Sequence, residues 1–276
     1  DQVERQLTTR DRNVGGLVLN AALLFALLFT LAVIFTLLFR LIEPALIVFR
    51  ERGFSFFTDS IGSEPSEVGI WPGLYGSFVI AIGVLVLAIP TGVAAAIYLE
   101  EYAAPTRLNQ FVMVNIRNLA GVPAVLYGVL GLIIFAQWLD PLTGGKTTLA
   151  AALTLAVLVL PVVIITSAEA IRAVPQSLRE AGYGVGATRW EVTRDEVLPY
   201  AAPGILTGTM LSLARALGEA APLILLGAVT GLLPKTGLTD KFSALPMLIF
   251  SWSWRPPKGE ELDWTNVAAA TGVVLL

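Results

Sequence analysis

Long stretches without a charged side chain alternate with short polar ones along this chain. Gly15–Phe39 runs 25 residues without a charge, and Asn118–Leu139 and Thr147–Ala168 run 22 each. Gly69–Leu99 is longer still, densest from Phe78 onward. About 20 apolar residues cross ~30 Å of hydrocarbon as a helix, so each of the four predicts a membrane span. Tyr200–Pro234 predicts a fifth, interrupted near its middle by Arg215 and Glu219. Trp264–Leu276 has 13 residues, which reach only ~20 Å; it reads as the start of a sixth helix whose remainder is missing from the sequence. Phe242–Trp254 is equally short and holds Pro246, Trp252 and Trp254, which suits an interfacial or re-entrant helix better than a span. The pattern predicts an all-α polytopic membrane protein of about six spans.

Composition agrees. Hydrophobic residues make up 55% of the 276 and charged ones 14%, against about a quarter charged in soluble domains. The chain has no Cys and no His, which excludes thiolate and imidazole metal sites and any Ser-His-Asp arrangement. No cofactor is expected on it, and a net charge of −3 gives no case for nucleic acid. The first apolar run is too long for a cleaved signal and reads as a retained span.

Charge says less about orientation. With the N-terminus inside, inner segments carry nine Lys/Arg and outer segments eight. The short loops between the second and fifth spans are more decisive. Arg107, Arg117, Arg172, Arg179, Arg189 and Arg194 fall inside, and Lys146 alone falls outside, as the positive-inside rule asks.

Two apparent nucleotide motifs fail on context. Gly145-Lys146-Thr147 has Asp140 where a phosphate loop needs its first Gly, and it follows a membrane helix rather than a strand. Gly182, Gly184 and Ala187 match G-x-G-x-x-A without a βαβ unit around them.

The polar insertion Arg172–Pro199 is more informative. Pro175 stands where a helix can begin, Gly182, Gly184 and Gly186 permit a sharp bend between two short helices, and Thr188 can cap the second. Glu180-Ala181-Gly182 is followed after three residues by Gly186, and after nine more by Glu196-Val197-Leu198-Pro199. This spacing resembles the Glu-Ala-Ala loop of ABC importer permeases, with Gly182 in place of the second Ala and Glu196 in place of an Ile. Tyr98-Leu-Glu-Glu-Tyr102, Val122-Pro-Ala-Val-Leu-Tyr-Gly128 and Arg215-Ala-Leu-Gly-Glu-Ala-Ala-Pro222 are similar to segments of phosphate importer permeases, and Ala221-Pro222 looks more like their A-type (PstA-type) than their C-type subunit.

The resemblance implies a type I ABC importer permease (MetI-like) fold in a bacterial inner membrane. Residues 1–72 would hold the first span and an outer loop, and residues 73–276 the permease core with a coupling loop at 172–199. It implies that Glu180, Ala181, Gly182, Gly186, Leu198 and Pro199 belong to a coupling helix region that docks on a cytoplasmic ATPase. It further implies a non-catalytic subunit forming half of a path for inorganic phosphate. The implied partners are a homologous PstC-type permease, two PstB-type ATPases that use Mg-ATP, an outer PstS-type phosphate-binding protein and membrane lipid. Another oxyanion cargo such as sulfate or molybdate, or a stand-alone secondary transporter or channel, is the alternative.

Arg215 and Glu219 are four apart, which on one helix puts them on one face. An Arg in mid-bilayer costs ~2.5–3.5 kcal/mol on insertion scales, so it should face helices, its partner or a watery path. The pair reads either as a buried ion pair that holds helices together or as a substrate path in which the Arg fork attracts an oxyanion and Glu219 limits how tightly it is held.

Overall fold

A computed structural model describes residues 14–231, 237–256 and 262–276. Arg5, Arg10, Arg12, Lys235 and Lys258, which entered the charge count, lie outside the described residues. The described residues form helices joined by turns, without a β-strand.

The first span is α1, Val14–Arg52, a 39-residue helix. It continues well past Phe39, carrying Arg40 and Pro44 within it rather than in an outer loop. Over its apolar part nothing is buried against the rest of the chain. Only its last turns pack, through Ala45 and Val48. A one-turn helix α2 (Ser55–Thr58) follows. Arg52 holds the next loop in place by donating to the Asp59 carboxylate at 2.8 Å and to the Glu67 carbonyl at 3.0 Å.

The second span is α3, Trp71–Ile97, prolonged by a π-helical turn over Tyr98–Tyr102. The third does not run straight. Arg107–Ala120 (α4) and Ala124–Ile133 (α5, prolonged by a π turn to Trp138) are bent by 101° from one another. Pro123 is the physical cause: it lacks the N–H that would continue the helix, and it disfavours the helical region for Val122. The uncharged run Asn118–Leu139 therefore contains a break where an unbroken span was expected.

A short α6 (Asp140–Thr143) leads through the left-handed Gly144 and Gly145 into α7, Thr148–Arg172, capped by the Thr147 hydroxyl. The Gly145-Lys146-Thr147 triplet is thus a turn and a helix cap. Helix α7 is the centre of the bundle, with most of its span buried. Its neighbours come close because they present glycine to it. A methyl group on Gly83 or Gly92 of α3 would collide with Ala152 or Val163, and one on Gly131 of α5 with Thr154. Small residues at such contacts bring membrane helices within van der Waals reach, where lipid offers no hydrophobic driving force.

Beyond α7 come α8 (Gln176–Gly184), then α9 (Arg189–Val192), a π turn (Thr193–Val197) and α10 (Leu198–Gly218). The last three form one 30-residue helix long and apolar enough to span. Gly204 and Gly208 of α10 lie against Ala170 and Thr166 of α7, so the two helices run antiparallel. The helical part of the expected Tyr200–Pro234 span stops at Gly218. Glu219 is extended (φ −80°, ψ 107°), and a one-turn α11 (Ala221–Leu225) resumes before the left-handed Gly227.

The chain closes with α12 (Leu245–Ser253) and α13 (Trp264–Leu275). Nine residues of α12 reach ~14 Å, too short to cross. Its tryptophans divide: Trp252 is fully buried and stacks obliquely on Trp264, while Trp254 is exposed. With the end of α1 and the loop after it, α12 and α13 build a second core at the end of the bundle opposite the 172–199 loop.

Candidate functional site

At the loop end, α8 starts at Pro175, whose extended ψ of 137° sets the entry. Gly182 and Gly184 are helical residues within α8, so the bend belongs to Gly186 alone, at φ +88°. Thr188 caps the next helix through a capping box: its hydroxyl accepts from the Glu191 N–H, and the Glu191 carboxylate accepts from the Thr188 N–H at 2.7 Å. That second helix is not short, because it continues into the span. Within the chain the close approach in this loop is at Gly182. A Cβ on Gly182 would stand 2.8 Å from the Val192 side chain, whereas one on Gly186 would meet nothing within 4 Å. Glu196 is exposed, so the charge where the resembled pattern has an Ile costs no packing. Glu180 and Ala181 are exposed on α8, Leu198 is half-buried and Pro199 is exposed.

Sequence reasoning missed what holds this loop. The π turn at the end of α3 offers three successive side chains, and each takes an arginine from a different segment. Glu100 accepts from Arg172 at the end of α7 through both carboxylate oxygens. Glu101 accepts from Arg179 of α8 at 2.8 Å. Tyr102 lies beneath the Arg189 guanidinium, 5.3 Å from its ring centre. Arg179 also donates to the carbonyls of Val174 and Ile171, satisfying acceptors that a helix end leaves open. The available signal was the Glu100-Glu101 pair directly after an apolar run, with Arg107 the nearest basic residue and not its partner. Its partners lie 72 and 78 residues away.

Arg215 and Glu219 stand at the break in the fifth span. They are not one turn apart on one helix: Arg215 is in the last turn of α10, and Glu219 is the extended residue that ends it. Their closest approach is 3.6 Å, with the Arg215 side chain 59% exposed and that of Glu219 23%. Arg215 lines a cavity with Leu119, Ala124, Tyr127, Leu158, Val162 and Ser212. Leu158 and Val162 lie at the middle of α7, so Arg215 sits at mid-depth and the helix carrying it stops there. The cavity also contains the α4–α5 break, braced by the Tyr127 hydroxyl donating to the Leu119 carbonyl at 2.8 Å. Two interrupted helices thus meet at one polar point. Among the described residues no cluster of three metal-ligating side chains converges.

The sequence profile of the binding-protein-dependent transport system inner membrane component matches residues 88–275. The chain belongs to this family. Within the family it is 37% identical over 203 residues to the phosphate transport system permease protein PstA of Mycobacterium leprae, covering 72% of this chain and 65% of that one. It is 34% identical over 190 residues to the PstC protein of Mesorhizobium japonicum, covering 60% and 58%. The matched stretch thus spans somewhat less than two thirds of these relatives. Two solved structures share the fold. One is an inward-facing MetNI methionine ABC transporter (TM-score 0.55, 22% identity, 75% and 86% covered). The other is a bacterial ABC transporter involved in the import of the polysaccharide alginate (TM-score 0.59, 16% identity, 95% and 93% covered). As a member of this permease family the chain is a multi-pass membrane protein, and both the 172–199 loop and the Arg215 break fall within the matched residues.

Proposed function

We propose that this chain is the transmembrane subunit of an ATP-driven phosphate importer and forms half of the translocation path. The observation that carries the reading is Arg215. It lies at mid-depth on a helix that ends there, lines the cavity at the α4–α5 break, and keeps a side chain that is 59% exposed. Such a charge is expensive in hydrocarbon and is compatible with a wet path shared with a second subunit. A planar guanidinium offers paired donors to a tetrahedral oxyanion. Glu219 beside it offsets part of the charge, which favours release. The PstA-named relative supports phosphate as the cargo.

In this reading the complete machine adds a homologous PstC-type permease, two PstB-type ATPases and a PstS-type outer binding protein. Mg-ATP is bound and hydrolysed by the ATPases, and this chain does no chemistry. The test is the reconstituted complex in liposomes. Phosphate uptake should require ATP on the ATPase side and the binding protein on the other. Excess sulfate or molybdate should leave phosphate uptake unchanged; competition by either would reassign the cargo. Uptake by this chain alone would replace the importer reading with a stand-alone carrier.

The same reading places the 172–199 loop in the cytoplasm and the N-terminus inside. Because the chain lacks cysteine, single cysteines at Ser66, Ser177 and Thr239 report the sides cleanly. An impermeant thiol reagent on intact cells should label the first and third only. Labelling at Ser177→Cys from outside would reverse the topology.

A further inference from the structure

The loop that meets the ATPase in the proposed function is tied to the spans at places of unequal strength. Arg172 and Glu100 form an ion pair that is open to solvent on one side, with side chains 54% and 15% exposed, and screening at the open arginine weakens such a pair. Glu101 and Arg179 are different: their side chains are 5% and 13% exposed. Removing one partner from such a pair leaves the other charge buried and uncompensated. Arg179 is held on three sides at once, by the Glu101 carboxylate and by the Ile171 and Val174 carbonyls. It therefore joins α8 both to the end of α7 and to the end of α3. At its other end α8 is pressed on α9 through Gly182 and Val192, and α9 runs without interruption into α10.

We propose that Glu101 is the positioning residue through which displacement of α8 reaches α3. Helix α8 is covalently connected to α7 and to α9–α10, but its grip on α3 is made by side chains. The π turn is what allows this: Ala103 N–H bonds back to the Tyr98 carbonyl, five residues earlier, and Glu100, Glu101 and Tyr102 are presented in succession to three converging segments. Because α3 packs along most of central α7, motion delivered at Glu101 moves α3 and α7 together. The inference rests on the importer reading and assigns to this chain a mechanical link distinct from the surface that touches the ATPase.

Glu101→Ala removes the link to α3 and leaves Arg179 with its two carbonyls; the uncompensated arginine lowers the yield of complex on either reading, so the comparison is made on the assembled fraction. In the reconstituted complex that fraction should hydrolyse ATP. The phosphate moved per ATP should fall at least tenfold, and hydrolysis should no longer respond to the binding protein. A merely structural pair would leave the assembled fraction at the wild-type ratio, and that result would overturn the proposal. Paired Glu101→Cys and Arg179→Cys changes in this cysteine-free chain give the second arm. The open pair should be uncoupled, and bridging it with a short bifunctional thiol reagent should restore at least half of the wild-type ratio. A bridged pair that stays uncoupled also overturns it. If the wild-type complex moves no phosphate, it is the importer reading that fails, independently of this comparison.

Discussion

Arg215→Gln is expected to leave the chain inserted and assembled while phosphate uptake falls by about one to two orders of magnitude. The size follows from the loss of a charge-assisted hydrogen bond, worth ~1.5–3 kcal/mol, at about 1.4 kcal/mol per decade of rate. Stability should change little. The contact with Glu219 is 3.6 Å long and Arg215 is 59% exposed, so as an exposed pair it contributes only ~0–1 kcal/mol. The ATPase should still respond to the binding protein, because the loop end is untouched. Glu219→Gln should keep assembly and slow turnover while tightening the apparent substrate dependence, since an uncompensated arginine holds its anion longer. The double change should assemble and stay transport-dead. The rival reading, in which the pair only joins helices, makes the opposite forecast: each single change destabilises the protein and the double change largely recovers. Wild-type transport in the double variant would leave that structural role standing alone.

The positions of the spans were legible because hydrocarbon thickness imposes a length that needs no tertiary information. The membership of the 172–199 loop in a known pattern was legible for a related reason: it is a local spacing of small residues and a capped helix. What escaped was every consequence of where helices stop. The run Asn118–Leu139 looks continuous to a count of charges, yet Pro123 sets α4 and α5 at 101°. Arg215 and Glu219 satisfy a helical spacing, yet the helix ends between them at Gly218. A local signal was present and was passed over: Gly218 is a weak helix former, and Pro222, four residues on, has no N–H to donate to the Gly218 carbonyl. The resumed turn α11 then packs on α5, where a Cβ on Gly128 would stand 2.7 Å from the Pro222 Cα. The ion pairs of Glu100 and Glu101 escaped for the plainest reason: their partners are separated from them by an entire hairpin of helices.

Gly186→Val is expected to abolish coupling while leaving the spans inserted. Gly186 has φ +88° and open space around it, so the effect is one of backbone strain alone. An L-residue in left-handed geometry costs roughly 1–2 kcal/mol, and a β-branched one resists it further. The cheapest escape is for the turn to adopt a negative φ. That swings α8 relative to α9, and the Gly182–Val192 contact is too tight to absorb the change. Binding-protein-stimulated ATP hydrolysis and uptake should both fall at least about tenfold in the assembled variant, the equivalent of 1.4 kcal/mol. Gly186→Asn is the control that separates strain from bulk, because Asn enters the left-handed region far more readily than Val. It should keep most of both activities although its side chain is as large. If Asn fails as badly as Val, the open face of Gly186 is itself a contact surface in the complex. If Val keeps wild-type stimulated turnover and transport, the turn is not part of the coupling path, and the mechanical role passes to Gly182 and the Arg179–Glu101 pair.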